Sequence, residues 1–201
     1  MPDALAQKAC EIEIEKAGSP IGKQDQYAAA FGGLNVINFD TNGKIRVSSV
    51  SLAPETKDAF QKHLLFFFTG KERSANTILS EQKQNIKKKF DFLKRMSDMV
   101  PIFESTVREG NFKEAGKILH ENWMLKRELA SGISNPQIEQ MYELALKSGA
   151  FGGKILGAGG GGFLLIMAPP EKHFQIIESL EDYKQAFFRF TEAGSKIVFK
   201  C

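Results

Sequence analysis

A run of thirteen residues, Lys154–Ile166, carries five glycines between two apolar, β-forming segments. A glycine inside a regular element costs about 0.5–1 kcal/mol relative to alanine, because its backbone loses more conformational freedom on folding. A flexible linker tolerates such a cluster. A turn between two buried strands does so only where it needs unusual backbone angles or a very close approach. Because successive N–H groups in such turns suit anionic oxygens, the run predicts two strands joined by a candidate phosphate-binding turn.

The composition is that of an ordinary globular protein, with 42% hydrophobic and 25% charged residues in 201 positions. The net charge of +3 is mild, and the basic excess lies between Lys83 and Arg95, on a predicted amphipathic helix with Ile86, Phe90 and Leu93 on its other face. This pattern favours a solvated helix face over a nucleic-acid patch. The longest apolar runs are too short to span a bilayer. Neither nucleic acid nor a membrane is predicted as a partner.

Two cysteines, Cys10 and Cys201, lie near opposite ends of the chain without the spacing of a metal site. A disulfide framework or a zinc site is not expected, and a reducing compartment is the simple inference. Met1–Leu5 lacks a basic region followed by an apolar stretch, so no signal peptide is expected. The predicted location is the cytoplasm, and no metal ligands are assigned.

The first part of the chain predicts two helices followed by a hairpin. Asp3 is a candidate N-cap of the first helix, Gly18-Ser19-Pro20 ends it, and Asn42-Gly43 is a strong hairpin signal. Leu52–Pro54 indicates a linker. The predicted elements are helices over 4–17 and 22–31 and strands over 34–39 and 44–50.

From about residue 60 the pattern alternates strands with helices. Trp123 lies at helical spacing from Phe112, Ala115 and Leu119, which predicts that it is a core residue. Strands separated by helices, with a closing pair of strands, indicate an α+β domain in two layers. The predicted strands span 63–69, 154–156, 163–168, 185–190 and 196–200, and the predicted helices span 74–99 with a break near Pro101, 112–130, 135–148 and 171–180.

A second motif, Gly18–Tyr27, places a turn directly before a short helix. The first turn of a helix favours negative charge because its N–H groups are unpaired and its dipole end is positive. Asp25 therefore has two open interpretations: it stabilises the helix end, or it orients or deprotonates a substrate hydroxyl. A lysine charge at Lys23 would keep the carboxylate ionised and would also meet a phosphate.

The two motifs together resemble the GHMP family of small-molecule kinases. The resemblance lies in Gly18–Gly33, GSPIGKQDQYAAAFGG, and in Lys154–Phe163, KILGAGGGGF. Thr69–Ala75 and Leu129–Pro136 further resemble the branch of the family that acts on D-glycero-D-manno-heptose 7-phosphate. This combination, in this order and along essentially the whole chain, is far more specific than the glycine run alone. It implies an ATP-dependent sugar kinase that uses ATP and Mg²⁺.

The resemblance also implies roles for particular residues. Asp25 matches the acidic residue that acts at the substrate hydroxyl, as catalytic base or orienting group. Ser19, Lys23 and Gln26 are expected to line the sugar side through their proximity to Asp25. Arg73 is either a ligand for the phosphate that the substrate already carries or an exposed arginine at a helix start. The glycine run matches the family's third motif, which closes over the site near the transferred phosphoryl group. Its members here are Gly157, Ala158, Gly159, Gly160 and Gly161.

The chain departs from the family in one respect. GHMP kinases carry an upstream loop that wraps the ATP phosphates at a helix N-terminus, and nothing in Met1–Gly18 resembles it. The implied fold class is α+β, the C-terminal part of a two-domain GHMP kinase. Residues 1–57 are then the remainder of the nucleotide-side domain, a partial ribosomal-S5-like α/β segment. Residues 58–201 are a ferredoxin-like α+β domain.

Two functions remain open on this basis. One is a sugar kinase acting on a heptose phosphate or a related sugar, inactive alone and with a separate chain carrying the missing segment as a candidate partner. The other is a non-catalytic remnant that binds a sugar phosphate or a partner chain. Phosphoryl transfer depends mainly on positioning and charge stabilisation around the phosphates. Loss of the triphosphate loop is therefore expected to weaken ATP binding, whereas retention of Asp25 favours the kinase.

Overall fold

The computed structural model describes residues 1–70 and 75–199. The chain divides into two compact units, one formed by Met1–Ser51 with the carboxy-terminal segment that begins at Arg189, the other by Leu52–Phe188. The predicted domain boundary at 57/58 stays a prediction. Within the described ranges, no helix is both long and apolar enough to cross a membrane.

The first unit contains two helical segments and a hairpin, as predicted. Helix α1 runs on into one stretch of π-helix, so the helical segment extends over nearly all of the predicted range. Asp3 lies inside α1 rather than at its N-cap, and its carboxylate accepts a hydrogen bond from Gln7 Nε2 at 2.7 Å. The elements of this unit are α1 (Pro2–Cys10), the π-helix (Glu11–Lys16), α2 (Gln24–Phe31), β1 (Asn35–Phe39) and β2 (Ile45–Ser49).

The hairpin pairs β1 and β2 in antiparallel register, with Asn35 opposite Ser49 and Phe39 opposite Ile45. Gly43 supplies the positive φ, 82°, that the turn requires. The core of this unit is formed by apolar side chains of the two helices, and partly buried side chains of the hairpin pack against it. The buried members are Ala6, Cys10, Tyr27 and Ala30.

The carboxy-terminal segment packs against the end of α2. Ser195 N donates to Ala29 O at 2.9 Å, and a Cβ on Gly32 would lie 2.1 Å from Gly194 N. The predicted strand over 196–200 is wrong for its described part, because residues 196–199 form no strand. No described backbone pairs with them, and the side chains of Ile197, Val198 and Phe199 are 78–87% exposed. An apolar run makes a strand only where a partner strand accepts its hydrogen bonds.

The second unit is built on a four-stranded antiparallel sheet in the order β4-β5-β3-β6. The central strand β3 places Phe66 opposite Leu165 on one side and Ala186 on the other. The strands are β3 (Leu64–Phe68), β4 (Gly152–Ile155), β5 (Phe163–Met167) and β6 (Lys184–Ala186). The predicted strand–turn–strand around the glycine run is therefore confirmed.

Helices cover this sheet and enclose its core. Helix α6 contacts β4, and α7 contacts β5. Trp123 on α6 is completely buried and packs edge-on against Tyr142 of α7, so its prediction as a core residue is confirmed. The helices are α3 (Pro54–Lys62), α4 (Ala75–Asn85), α5 (Phe90–Arg108), α6 (Phe112–Arg127), α7 (Pro136–Lys147) and α8 (His173–Ser179). The α+β prediction is confirmed.

The helices differ from the prediction in two places. Leu52 and Ala53 of the predicted linker are non-helical, but Pro54 begins a helix that was not predicted, α3, in whose first turn a proline loses no hydrogen bond. The predicted helix 74–99 is broken at residues 86–89, not near Pro101, which lies inside α5. A tertiary bond from Asn85 Nδ2 to Leu129 O, 3.1 Å, holds the end of α4. Ile86 and Phe90 are consequently exposed and form no apolar helix face.

Candidate active site

Asp25 lies in the first turn of α2, on the elbow that the sequence singled out. Its side chain is exposed, and no described residue donates a hydrogen bond to it or forms an ion pair with it. The expected pairing with Lys23 is not formed, because residues two apart at a helix start do not face each other. The carboxylate is therefore free to contact a ligand.

The other residues of the elbow differ in their surroundings. Ser19 is half-buried, and its N–H donates to Glu13 O at 3.0 Å, which closes the turn after the π-helix. Lys23 is exposed and lines a cavity of about 410 Å³ together with Tyr27. Gln26 is 8% exposed, and its Oε1 has no hydrogen-bond partner within the described ranges. A buried amide oxygen without a donor is unusual in a folded protein.

The glycine-rich loop, Leu156–Gly162, joins β4 to β5 in the second unit. A bond from Leu156 N to Phe163 O, 2.9 Å, closes it. Four of its five glycines have positive φ, at 67° for Gly157, 103° for Gly159, 78° for Gly160 and 82° for Gly162. Residues other than glycine rarely adopt these φ angles. The inference that the run needs unusual backbone angles is therefore confirmed.

The second half of the loop is anchored to its surroundings. Gly160 N donates to Ile133 O at 2.8 Å, and Gly160 O accepts from Asn135 Nδ2 at 3.3 Å. Gly162 O accepts from Thr69 N at 2.9 Å. The N–H of Gly160 is thus already used, which leaves those of Gly157, Ala158, Gly159 and Gly161 without a protein acceptor in the described part of the chain.

The segment before α7 that holds the loop is itself tied down by carboxylates. Glu81 accepts from the N–H of Ser131 at 2.9 Å and from its hydroxyl at 3.0 Å. Glu139 accepts from Ser134 Oγ and from Arg127 at the same time. Both carboxylates fix backbone or hydroxyl groups of this segment, so the residues that bind the loop are themselves held in place by hydrogen bonds.

Sequence reasoning missed Lys126, which lies at the base of the glycine-rich loop. This α6 side chain is only 9% exposed, and its Nζ donates to Ile155 O at 3.2 Å and to Gly157 O at 2.5 Å. Burial, helped by the nearby charge of Lys154, lowers the pKa of Lys126 to about 7. Burial also lowers the pKa of Lys154, whose Nζ donates to Asn122 Oδ1 at 2.9 Å. The buried Lys126 and the half-buried Lys154 thus lie near the start of the loop.

Arg73 lies outside the described residues, so the structure adds nothing to its predicted role. Its neighbour Thr69 is 1% exposed, and its hydroxyl has no hydrogen-bond partner within residues 1–70 and 75–199. The same residues contain no group of three or more His, Cys, Asp or Glu side chains arranged to hold a metal ion.

Replacing Gly159 with alanine is expected to destabilise the second unit by about 1–3 kcal/mol or more, because the residue would keep a strained backbone angle. The added Cβ would also lie 2.8 Å from Ile133 O. Gly157→Ala is the matched control, since its φ is positive but no atom lies within 4 Å of the new Cβ. Urea unfolding of both variants measures the difference. Equal losses would show that the contact with Ile133 has no energetic weight.

Sequence comparison finds relatives of this chain among known proteins. A family model described as GHMP kinases C terminal matches residues 103–185. The D-glycero-alpha-D-manno-heptose 7-phosphate kinase of Campylobacter jejuni is 32% identical over 198 residues, which cover 96% of this chain and 58% of that protein. A galactokinase of Pyrococcus furiosus is 27% identical and aligns with 84% of this chain and 53% of its own length.

Solved structures show the same fold. A D-glycero-D-manno-heptose 1-phosphate kinase from Bacteroides thetaiotaomicron, 24% identical, matches 96% of this chain and 55% of its own with a TM-score of 0.64. A Lactococcus lactis galactokinase complexed with galactose, 18% identical, matches 98% of this chain and 61% of its own with a TM-score of 0.70. At these identities the likeness concerns the fold alone.

The matched region, residues 103–185, belongs to the C-terminal domain of the GHMP kinases, the class of small-molecule kinases that the two motifs predicted. Over nearly its whole length the chain is similar to a heptose 7-phosphate kinase. It spans between 16% and 58% of the lengths of six curated relatives that it matches.

Proposed function

We propose that this chain forms the substrate side of a cytoplasmic, ATP-dependent sugar kinase whose substrate is D-glycero-D-manno-heptose 7-phosphate. The observation that carries the proposal is the glycine-rich loop, with its positive φ angles and unused N–H groups, in a chain 32% identical to a heptose 7-phosphate kinase. Unpaired N–H groups in a turn of this kind suit phosphate oxygens.

Asp25 is the proposed catalytic residue. Its exposed carboxylate, without a partner among the described residues, is available to accept the proton of the sugar hydroxyl or to orient that hydroxyl. Ser19, Lys23 and Gln26 are the proposed sugar-side ligands, because they lie on the same elbow as Asp25. Arg73 is the proposed ligand of the phosphate that the substrate carries.

The N–H groups of Gly157, Ala158, Gly159 and Gly161 are the proposed donors to phosphoryl oxygens, where fixed dipoles stabilise developing charge. MgATP, when bound, supplies the phosphoryl group. Magnesium needs only one or two protein carboxylates beside the phosphates of the nucleotide, and the described residues single out none, because they bring no three metal-ligating side chains together. We therefore assign no magnesium ligand in this chain.

A second candidate function is a non-catalytic protein that binds a sugar phosphate or a partner chain. It needs only the exposed carboxylate of Asp25 and the unpaired N–H groups of the glycine-rich loop, which suit a bound sugar phosphate without any transfer. Both candidates use the same sugar-side residues. They differ in whether ATP is consumed.

The test measures ADP release with MgATP and D-glycero-D-manno-heptose 7-phosphate. The chain is assayed alone, extended by any residues that its gene encodes before Met1, and mixed with those residues as a separate polypeptide. Sugar-dependent ADP release in any of these preparations supports the kinase. Calorimetric binding of the sugar phosphate with no ADP release in all of them would establish the non-catalytic function instead.

A further inference from the structure

Lys126 lies at a buried position, where a charged side chain lowers the stability of the fold. It is 9% exposed, and no described carboxylate forms an ion pair with it, so its charge is balanced only by backbone carbonyl dipoles. Removing an ammonium group from water costs several kcal/mol unless hydrogen bonds and opposite charge compensate it. An apolar side chain of equal length would fill the same space at lower cost, so the lysine calls for a reason beyond packing.

Both acceptors of Lys126 belong to one short stretch of backbone. Ile155 is the last residue of β4, and Gly157 is the first glycine of the loop, with φ at 67°. The Nζ therefore bridges the strand end to the first residue with a left-handed backbone. The later part of the loop has its own anchors in Ile133 and Thr69, so Lys126 is the described side chain that holds the first part.

We propose that Lys126 is a positioning residue that sets the backbone of the first half of the glycine-rich loop through its two hydrogen bonds. Its importance for phosphoryl transfer rests on the proposed function. The positioning itself does not, because it concerns contacts within this chain.

The electrostatic surroundings make this anchor sensitive to pH. The pKa of Lys126, lowered to about 7 by burial and by Lys154 on β4, puts its proton loss near neutrality. Hydrogen bonds from a charged donor are roughly twice as strong as those from a neutral one. Two ion pairs join α6 to the neighbouring helices, and the opposite charges of each pair largely cancel at the position of Lys126. These pairs are Arg95–Glu121 between α5 and α6 and Arg127–Glu139 between α6 and α7.

The test is amide hydrogen exchange, resolved by NMR, in Lys126→Met and in the matched control Lys117→Met. Lys117 lies on the same helix but is exposed and paired with Glu114. In Lys126→Met, the N–H group of Leu156 is expected to exchange about tenfold faster or more, as loss of charged hydrogen bonds predicts. The N–H group of Gly160, which Ile133 O holds independently, and those of strand β5 should keep their rates. Lys117→Met should change none of these rates.

A titration of the unmodified chain tests the proposal without any variant. The side-chain resonances of Lys126 and the amide resonances of Leu156 and Gly157 are expected to shift together with a midpoint at about pH 7. The proposal is overturned if Leu156 keeps its exchange rate in a folded Lys126→Met, or if the amide resonances of Leu156 and Gly157 do not shift with the titration of Lys126. Neither measurement depends on activity, so failure of the kinase proposal would leave the result readable.

Discussion

Replacing Asp25 with asparagine is expected to lower kcat for sugar phosphorylation by about 10²–10⁴-fold, the usual contribution of a general base. Asparagine keeps the size and polarity of the side chain but cannot take up a proton. Because Asp25 makes no hydrogen bond or ion pair with a described residue, the fold should tolerate the change. The measurement is steady-state ADP release in the preparation that shows sugar-dependent turnover, with Tm recorded in parallel.

Asp3→Asn provides the control for the alternative role of Asp25 at a helix end. Both carboxylates lie in the first turn of a helix of the same unit. Such a charge is worth about 0.3–1 kcal/mol through the helix dipole. If Asp25→Asn lowers Tm as Asp3→Asn does and leaves kcat unchanged, Asp25 acts on the helix alone and the catalytic assignment is wrong.

The second large effect is on the pH dependence of stability. The pKa of Lys126 is about 7 in the folded chain and 10.5 in its ordinary state. Between these values the unfolded chain binds one more proton at this site, so the free energy of unfolding rises with pH by up to about 1.4 kcal/mol per unit. This gain in the free energy of unfolding is complete above pH 10.5, where Lys126 is neutral in both states. It is lost as the pH falls to about 7, where the folded chain must also carry the charged lysine.

Lys126→Met removes that titration. The variant is expected to be more stable than the unmodified chain at pH 7, with the gap closing toward pH 10, because methionine carries no desolvated charge. Urea unfolding at pH 7, 8 and 9 measures the difference between the two proteins, which cancels the titration of other groups. Lys117→Met, with its exposed ammonium, should follow the unmodified chain. Parallel pH slopes for all three proteins would contradict a buried, titrating Lys126.

Local signals in the sequence predicted much of this structure. The Asn-Gly turn predicted the hairpin, and the clustered glycines predicted a turn between two strands. Local signals failed where distant residues decide. The break at residues 86–89 follows a helix end held by a tertiary bond from Asn85 to Leu129. The pairing of β3 with β5 and with β6 joins residues about a hundred positions apart or more, such as Leu64 with Met167 and Phe66 with Ala186, which no local pattern encodes.

The sequence predicted the turn of the glycine-rich loop but not the residues that hold the loop in place. Lys126 is a lysine near the end of an amphipathic helix, a position where lysines normally reach solvent. A signal was nevertheless present, because Lys126 follows Leu119 and Trp123 at intervals of seven and three residues, on the apolar face of the helix. The anchoring of Gly160 by Ile133 required knowledge of tertiary contacts.

The burial of Trp123 has a practical consequence for spectroscopy. It is the only tryptophan of the chain, and it lies in the second unit against Tyr142. Intrinsic fluorescence excited at the red edge of the aromatic band therefore reports on the second unit and is silent about the first. The first unit contains no tryptophan, and its unfolding is seen only in signals of the whole chain, such as far-ultraviolet circular dichroism. Comparing the two signals during unfolding shows directly whether the units melt together or one after the other.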